Sequence, residues 1–214
     1  MQRTFLFFVM LFSFLPVHTT QAALTFYTDR TAWETAVTAT ILTEDFSSIT
    51  PYFLAEGINS AGLINIELFN LVAQNELNAI DDGTGTENIN STPFYQGASN
   101  ANNSSGTPSG ADFIDILLPY VTTAFGGDFQ STHSGGGLTL SVDGTVYEFS
   151  DLLPDGTGCG FLGFISTEAF STVRLYDAEK REVFGLDNVS FAIPEPATLA
   201  LLGLGGLALL RKQK

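Results

Sequence analysis

From residue 41 onward the apolar residues of this chain recur mostly at every second position, in short runs between turn residues, and that period is the signature of strands. Ile64, Ile66 and Leu68 fall on one face of an extended segment, Asn65 and Glu67 on the other, which is the pleat of a half-buried strand. The same alternation marks 41–46, 63–68, 113–118, 121–125, 138–142, 146–149, 161–165, 173–176 and 183–191, with a short run at 24–27. Asp143-Gly144 between two of these runs is a hairpin signal, because both residues tolerate positive φ. One segment breaks the period. In 30–37, Ala32, Trp33, Ala36 and Val37 recur at helical spacing behind Thr28-Asp29, so a single short helix with an Asp or Thr N-cap is expected. Many short strands, abundant glycine and 19 Phe predict an all-β fold, an antiparallel β-sandwich of jelly-roll-like order that buries alternate aromatics between two sheets. Residues 75–110, rich in Asn, Ser, Gly and Thr, read as a long loop with a short strand near Phe94-Tyr95.

The two ends follow different rules. Residues 1–23 have the form of a signal peptide: Arg3, an apolar run from Phe5 to Val17 broken by Pro16, then small residues. A cut after Ala22 is expected, with Ala23 the competing position. At the other end, Ala197 to Leu210 is uncharged and Arg211-Lys212-Gln213-Lys214 closes the chain. As a helix at 1.5 Å per residue, 197–210 would span about 21 Å, short of a bilayer core of about 30 Å. Local thinning can accommodate a short transmembrane helix, and the terminal cations favour the cytoplasmic side, leaving the rest of the chain outside. Gly203, Gly205 and Gly206 give this helix a face for close packing in the membrane. Composition alone is also met by an ordinary C-terminal anchor with a proline-rich spacer. The expected organisation is therefore signal peptide 1–23, β-sandwich 24–192 and C-terminal segment 193–214.

Pro194-Glu195-Pro196, a short Leu/Gly/Ala-rich helix and a basic terminus, on a chain that opens with a signal peptide, together resemble the PEP-CTERM sorting domain. The resemblance implies that an exosortase, an inner-membrane transpeptidase-like enzyme of Gram-negative bacteria that make exopolysaccharide, recognises Pro194, Glu195 and Pro196 and removes the tail near them. These three residues would be acted upon. Four further segments, Thr25 to Trp33, Thr123 to Phe129, Gly160 to Ile165 and Leu186-Asp187-Asn188-Val189, resemble a sandwich domain common in PEP-CTERM proteins, which implies the fold and names no ligand.

Charge narrows the partners. Residues 24–193 keep Arg30, Arg174, Lys180 and Arg181 against 22 of the 23 acids, a balance that repels phosphate backbones, so nucleic acid is excluded as a partner. Cys159 is the only cysteine. It precludes an intrachain disulfide and, with no base beside it, reads as a half-buried filler. His133 would be the only histidine after signal removal, which leaves no His/Cys zinc set and no evident nucleophile–base pair. No catalytic residues are assigned, and no enzyme is expected. The acids favour calcium, which takes several carboxylate and carbonyl oxygens. One expected site, for a structural calcium, joins Glu44-Asp45 on an early strand to Asp187-Asn188 on the last. A second is the loop Asp81 to Asn88, which lacks EF-hand spacing. Trp33, Tyr52, Tyr95, Tyr120, Tyr147 and Tyr176 are the aromatics available for stacking on sugars, although such residues in a sandwich are more often core or rim.

The expectation is a non-enzymatic exported protein of the cell surface or extracellular matrix. It would pass through the membrane transiently, be processed by exosortase, and associate with exopolysaccharide or biofilm. The alternatives are a secreted carbohydrate-binding module or a carbohydrate-active enzyme.

Overall fold

The computed structural model describes residues 22–69, 78–84, 87–100, 113–130, 132, 137–142, 144–153, 158–177 and 181–193. Most of the signal segment, His133, the tripeptide and the apolar stretch 197–210 lie outside them, as do Gly85 and Thr86 of the acidic loop. In chain order the elements are β1 (Leu24–Tyr27), α1 (Arg30–Ala36), β2 (Ile41–Glu44), β3 (Tyr52–Phe53), β4 (Gly57–Ala61), β5 (Ile64–Phe69), β6 (Ala79–Asp81) and β7 (Phe94–Asn100). They continue with β8 (Phe113–Gln130), β9 (Leu138–Val142), β10 (Thr145–Glu148), α2 (Phe149–Leu152), β11 (Gly160–Asp177) and β12 (Arg181–Ala192). Among the described residues no helix is long and apolar enough to cross a membrane.

All strand pairings in this region are antiparallel, and the fold is all-β and sandwich-like. Two long strands build it. Residues 113–117 of β8 pair with β5 and with residues 172–175 of β11, which continues to β9 and β10. Residues 125–130 of β8 pair with β12, and residues 124–129 pair with residues 160–165 of β11, which also holds β1. The two halves of β8 and β11 thus belong to two layers. The register slips twice between Ile165 and Thr172, the kind of irregularity that bends a strand.

Sequence alone reads 113–118 and 121–125 as two strands separated by Pro119. The structure joins them, and Pro119 is tolerated because it falls where the β8–β11 ladder is interrupted and no N–H is required of it. The runs at 161–165 and 173–176 merge into β11 in the same way.

The layers enclose the larger of two apolar clusters among the described residues; the smaller, of Trp33, Ala124, Phe161 and Ala192, is the one that includes the buried residue of α1. Ile66, Ile116, Leu140 and Val173 from one side pack in the same cluster as Phe125, Phe129, Phe164, Phe184, Leu186 and Phe191 from the other. Within 75–110 the strand expected near Phe94-Tyr95 is present and longer than foreseen, and 79–81 also form a strand, which corrects the loop reading there; 75–77, 85–86 and 101–110 lie outside the described residues. β7 is an interior strand between β12 and β6, with Tyr95 fully buried. Small polar residues suit it because Phe184 lies across Gly97, where any side chain would collide with the ring. Buried Asn78 completes the arrangement, its Oδ1 accepting from the Tyr95 hydroxyl (2.8 Å) and the Ala98 N–H (3.1 Å).

Candidate functional site

The four segments singled out in the sequence meet at one place, where α1 lies on β8, β11 and β12. The Asp29 side chain caps α1 by accepting from the Ala32 N–H (2.7 Å). With the helix start fixed, Arg30 and Trp33, three residues apart, face the sheet together. Trp33 is buried on the Phe161 ring and donates from Nε1 to the Phe164 carbonyl (3.2 Å). A Cβ at Gly163 would stand 2.8 Å from Trp33 Cδ1, so the glycine makes room for the indole.

Arg30 pairs with Asp128 (3.1 Å), lies over Phe161 (4.5 Å), and donates to the Ser190 hydroxyl (3.0 Å) and the Asn188 carbonyl (3.2 Å). Asn188 takes a left-handed conformation (φ 50°) at a register shift in β12, a position Asn tolerates because its short polar side chain bonds locally. Here its Nδ2 donates to Asp128 (2.9 Å).

The residues expected to hold calcium are only partly brought together. β2 does pair with β12. Glu44, buried, spends Oε1 on the Phe46 N–H (2.7 Å) and Oε2 on the Leu63 N–H (2.6 Å). Asp45 is exposed and accepts from the N–H (3.0 Å) and hydroxyl (2.7 Å) of Ser47; the Ser47 hydroxyl bond is the main reason its carboxyl lies below the usual range. Asp187 is buried. Its Oδ1 accepts from the Asn188 N–H (2.6 Å) and its Oδ2 from the Thr92 hydroxyl (3.1 Å). In the acidic loop, Asp81 and Asp82 accept from the backbone and hydroxyl of Thr84 and the backbone of Gly83. Among the described residues no group of three or more His, Cys, Asp or Glu is arranged to hold a metal ion.

Burial is the main reason the Asp187 carboxyl lies above its ordinary value of 3.8, and the nearby charges of Asp128 and Asp45 push the same way. A carboxyl with a higher pKa folded than unfolded binds extra protons in the native state between those two values. Its contribution to stability therefore grows as pH falls through that window and is least favourable above it. Asp187→Asn keeps an acceptor for the Asn188 N–H and discards the charge. At pH 7 the variant is expected to melt above the wild type, with the difference vanishing below about pH 4. Lower melting of the variant at pH 7, or a calcium-dependent melting temperature that the substitution removes, would instead put a cation on this carboxylate.

Sequence reasoning singled out the segments that hold Arg30 and Asp128 but gave those residues no role, and it did not foresee the Arg174–Asp115 pair. In that pair Arg174 Nε and Nη2 donate to the two Asp115 oxygens (2.7 and 2.8 Å) from opposite cross-strand positions, with Arg174 also stacked on Phe113 (3.4 Å). The signal was the rarity of basic residues: a cation in so acidic a chain is committed to a particular acid. Of the aromatics considered for sugar stacking, Trp33 and Tyr95 are core, while Tyr52 and Tyr120 are exposed. Cys159 is half-buried.

β12 ends at Ala192, two residues before Pro194. Ala192 is buried and pairs with Ile41, and the Ile193 N–H donates to the Thr40 carbonyl (2.9 Å). The next residue is Pro194. A family model, the PEP-CTERM protein-sorting motif, matches residues 192–214, which includes Pro194, Glu195 and Pro196 and begins inside the last strand. No curated protein and no solved structure matches the chain. The chain therefore carries, fused directly to a β-sandwich-like fold, the PEP-CTERM sorting motif of an exported protein that is anchored transiently in the membrane and processed by exosortase.

Proposed function

We propose that this chain is a non-enzymatic protein of the cell surface or extracellular matrix of a Gram-negative bacterium, associated with exopolysaccharide or biofilm once its tail has been processed. The supporting observation is the join between motif and fold. A sorting signal that starts in the final strand makes the folded unit the cargo, and the buried carboxylates of that cargo hold its own backbone and side chains together. An acidic surface also keeps the cargo off anionic membranes and nucleic acid after release.

The test is expression of the full chain in hosts with and without an exosortase, followed by fractionation and intact mass. With the enzyme, the tail is expected to be lost and the protein to leave the inner membrane; without it, the tail is retained there. A tail present in both hosts would mean a permanent anchor. Polysaccharide turnover by the released protein, abolished by one carboxylate substitution, would make it an enzyme.

A sugar-binding module is the second reading, favoured by one feature. Arg174 lines a polar depression with Ser141, Ser171 and Thr172, and it covers Phe113, which stacks on the exposed Phe69 at 4.7 Å. Hydroxyls, a guanidinium and an aromatic face are the groups that hold saccharides.

A further inference from the structure

Beside the point where the chain leaves the sheet lies an open groove of about 320 Å³, lined by Ala39, Val121, Thr123, Ala169, Ala192 and Ile193 among others. Its walls carry no charge, although the fold around it is strongly acidic; the nearest acid in sequence is Glu168. Val121 is 55 % exposed, and Tyr120 beside it is 50 % exposed.

The groove is continuous with the sorting signal. Ala192 and Ile193 are at once two of its walls, the end of the sheet, and the first two residues matched by the sorting motif. In sequence the tripeptide lies between Ile193, whose N–H is bonded to the Thr40 carbonyl, and the apolar stretch that begins at Ala197, directly after Pro196. One residue of chain reaches at most about 3.6 Å. An enzyme that closes on 194–196 must therefore come against this end of the sandwich. A contact made through this groove desolvates no carboxylate, whereas a contact through the acidic surface elsewhere would.

We propose that this groove is the surface on which the processing exosortase docks, so that the enzyme reads the folded end of the sandwich together with Pro194-Glu195-Pro196. The proposal rests on the sorting reading above. A carboxylate placed on Val121 or Ala169 would have to be desolvated in the contact, whereas both positions are open to solvent in the free protein.

The experiment is a pulse-chase of the full chain in an exosortase-bearing host, following the fraction that retains its tail. It compares wild type, Val121→Glu, Ala169→Glu, Glu195→Ala, and a chain with a Gly/Ser spacer inserted between Ile193 and Pro194. Protease resistance of each precursor confirms folding. Both glutamate variants are expected to be processed at least about tenfold more slowly than wild type, and the spacer chain is expected to slow as well, because it separates the groove from the tripeptide. Processing of the glutamate variants at the wild-type rate overturns the proposal. So does a faster spacer chain, which would mean that the fold obstructs the enzyme. Faster glutamate variants would place the chain's own tail in the groove, and a dimer that Val121→Glu converts to monomers would place a second copy there; either result also overturns it. Failure of the sorting reading itself looks different: the wild type keeps its tail, or Glu195→Ala loses it.

Discussion

Trp33→Ala is expected to cost about 3–5 kcal/mol of folding stability, the range for a fully buried large aromatic. Trp33 has no solvent exposure, sits 5.6 Å from the Phe161 ring, and is the buried residue of α1. A helix of seven residues is too short to persist without tertiary support. Removing the indole therefore frees the helix as well as opening a cavity. The loss extends to Arg30, whose pairing with Asp128 and bonds to β12 depend on the helix being in place. Gly163, against which the indole sits, has no side chain with which to fill the gap. Trp33→Phe keeps a ring against Phe161 and loses the bond from Nε1 to the Phe164 carbonyl, so a smaller cost of about 1–2 kcal/mol is expected. Urea denaturation of the two variants beside wild type makes the comparison. A loss below about 1 kcal/mol for the alanine variant would show that α1 is peripheral to the fold.

The strands facing the core were legible because burial on one side imposes alternation. Ile64, Ile66 and Leu68 occupy the buried face of β5, as their spacing demanded. The Asp29 cap and α1 were legible for the same kind of reason, since both are local. What the sequence concealed was non-local. β7 carries Gln96, Gly97, Ala98 and Ser99 in a strand that lies between two others, and its suitability depends on Phe184, nearly ninety residues away. The continuity of β8 through Pro119 depends on an interruption in a different strand. The sorting tripeptide was the clearest functional signal, because it is read as sequence by another protein and needs no fold to be recognised. The sequence also could not show which partners the residues expected to bind calcium take. β2 does pair with β12, but Glu44, the last residue of β2, bonds the Phe46 and Leu63 N–H groups, while Asp45, just beyond the strand, bonds Ser47.

Glu44→Ala is expected to cost at least about 3 kcal/mol, because each of its two charge-assisted bonds to backbone N–H groups is worth roughly 1.5–3 kcal/mol. The carboxylate is only 4 % exposed and joins three pieces of chain: β2, the left-handed Phe46 that follows it, and the turn at Gly62-Leu63 between β4 and β5. Gly62 adopts φ +66°, and a Cβ there would collide with the Glu44 carboxylate. Gly62→Ala is therefore expected to be similarly harmful, through backbone strain and through displacement of the same acid. Glu44→Gln separates charge from shape. It retains one acceptor oxygen but turns an NH₂ toward the second N–H, so its loss should fall between wild type and alanine. The comparison also decides what Glu44 is for. A clamp on two N–H groups loses the same stability in calcium as in excess chelator, whereas a metal ligand loses most of its contribution in the presence of the ion and little without it. Equal losses under the two conditions are expected, and a loss confined to calcium would return Glu44 to the role of a ligand.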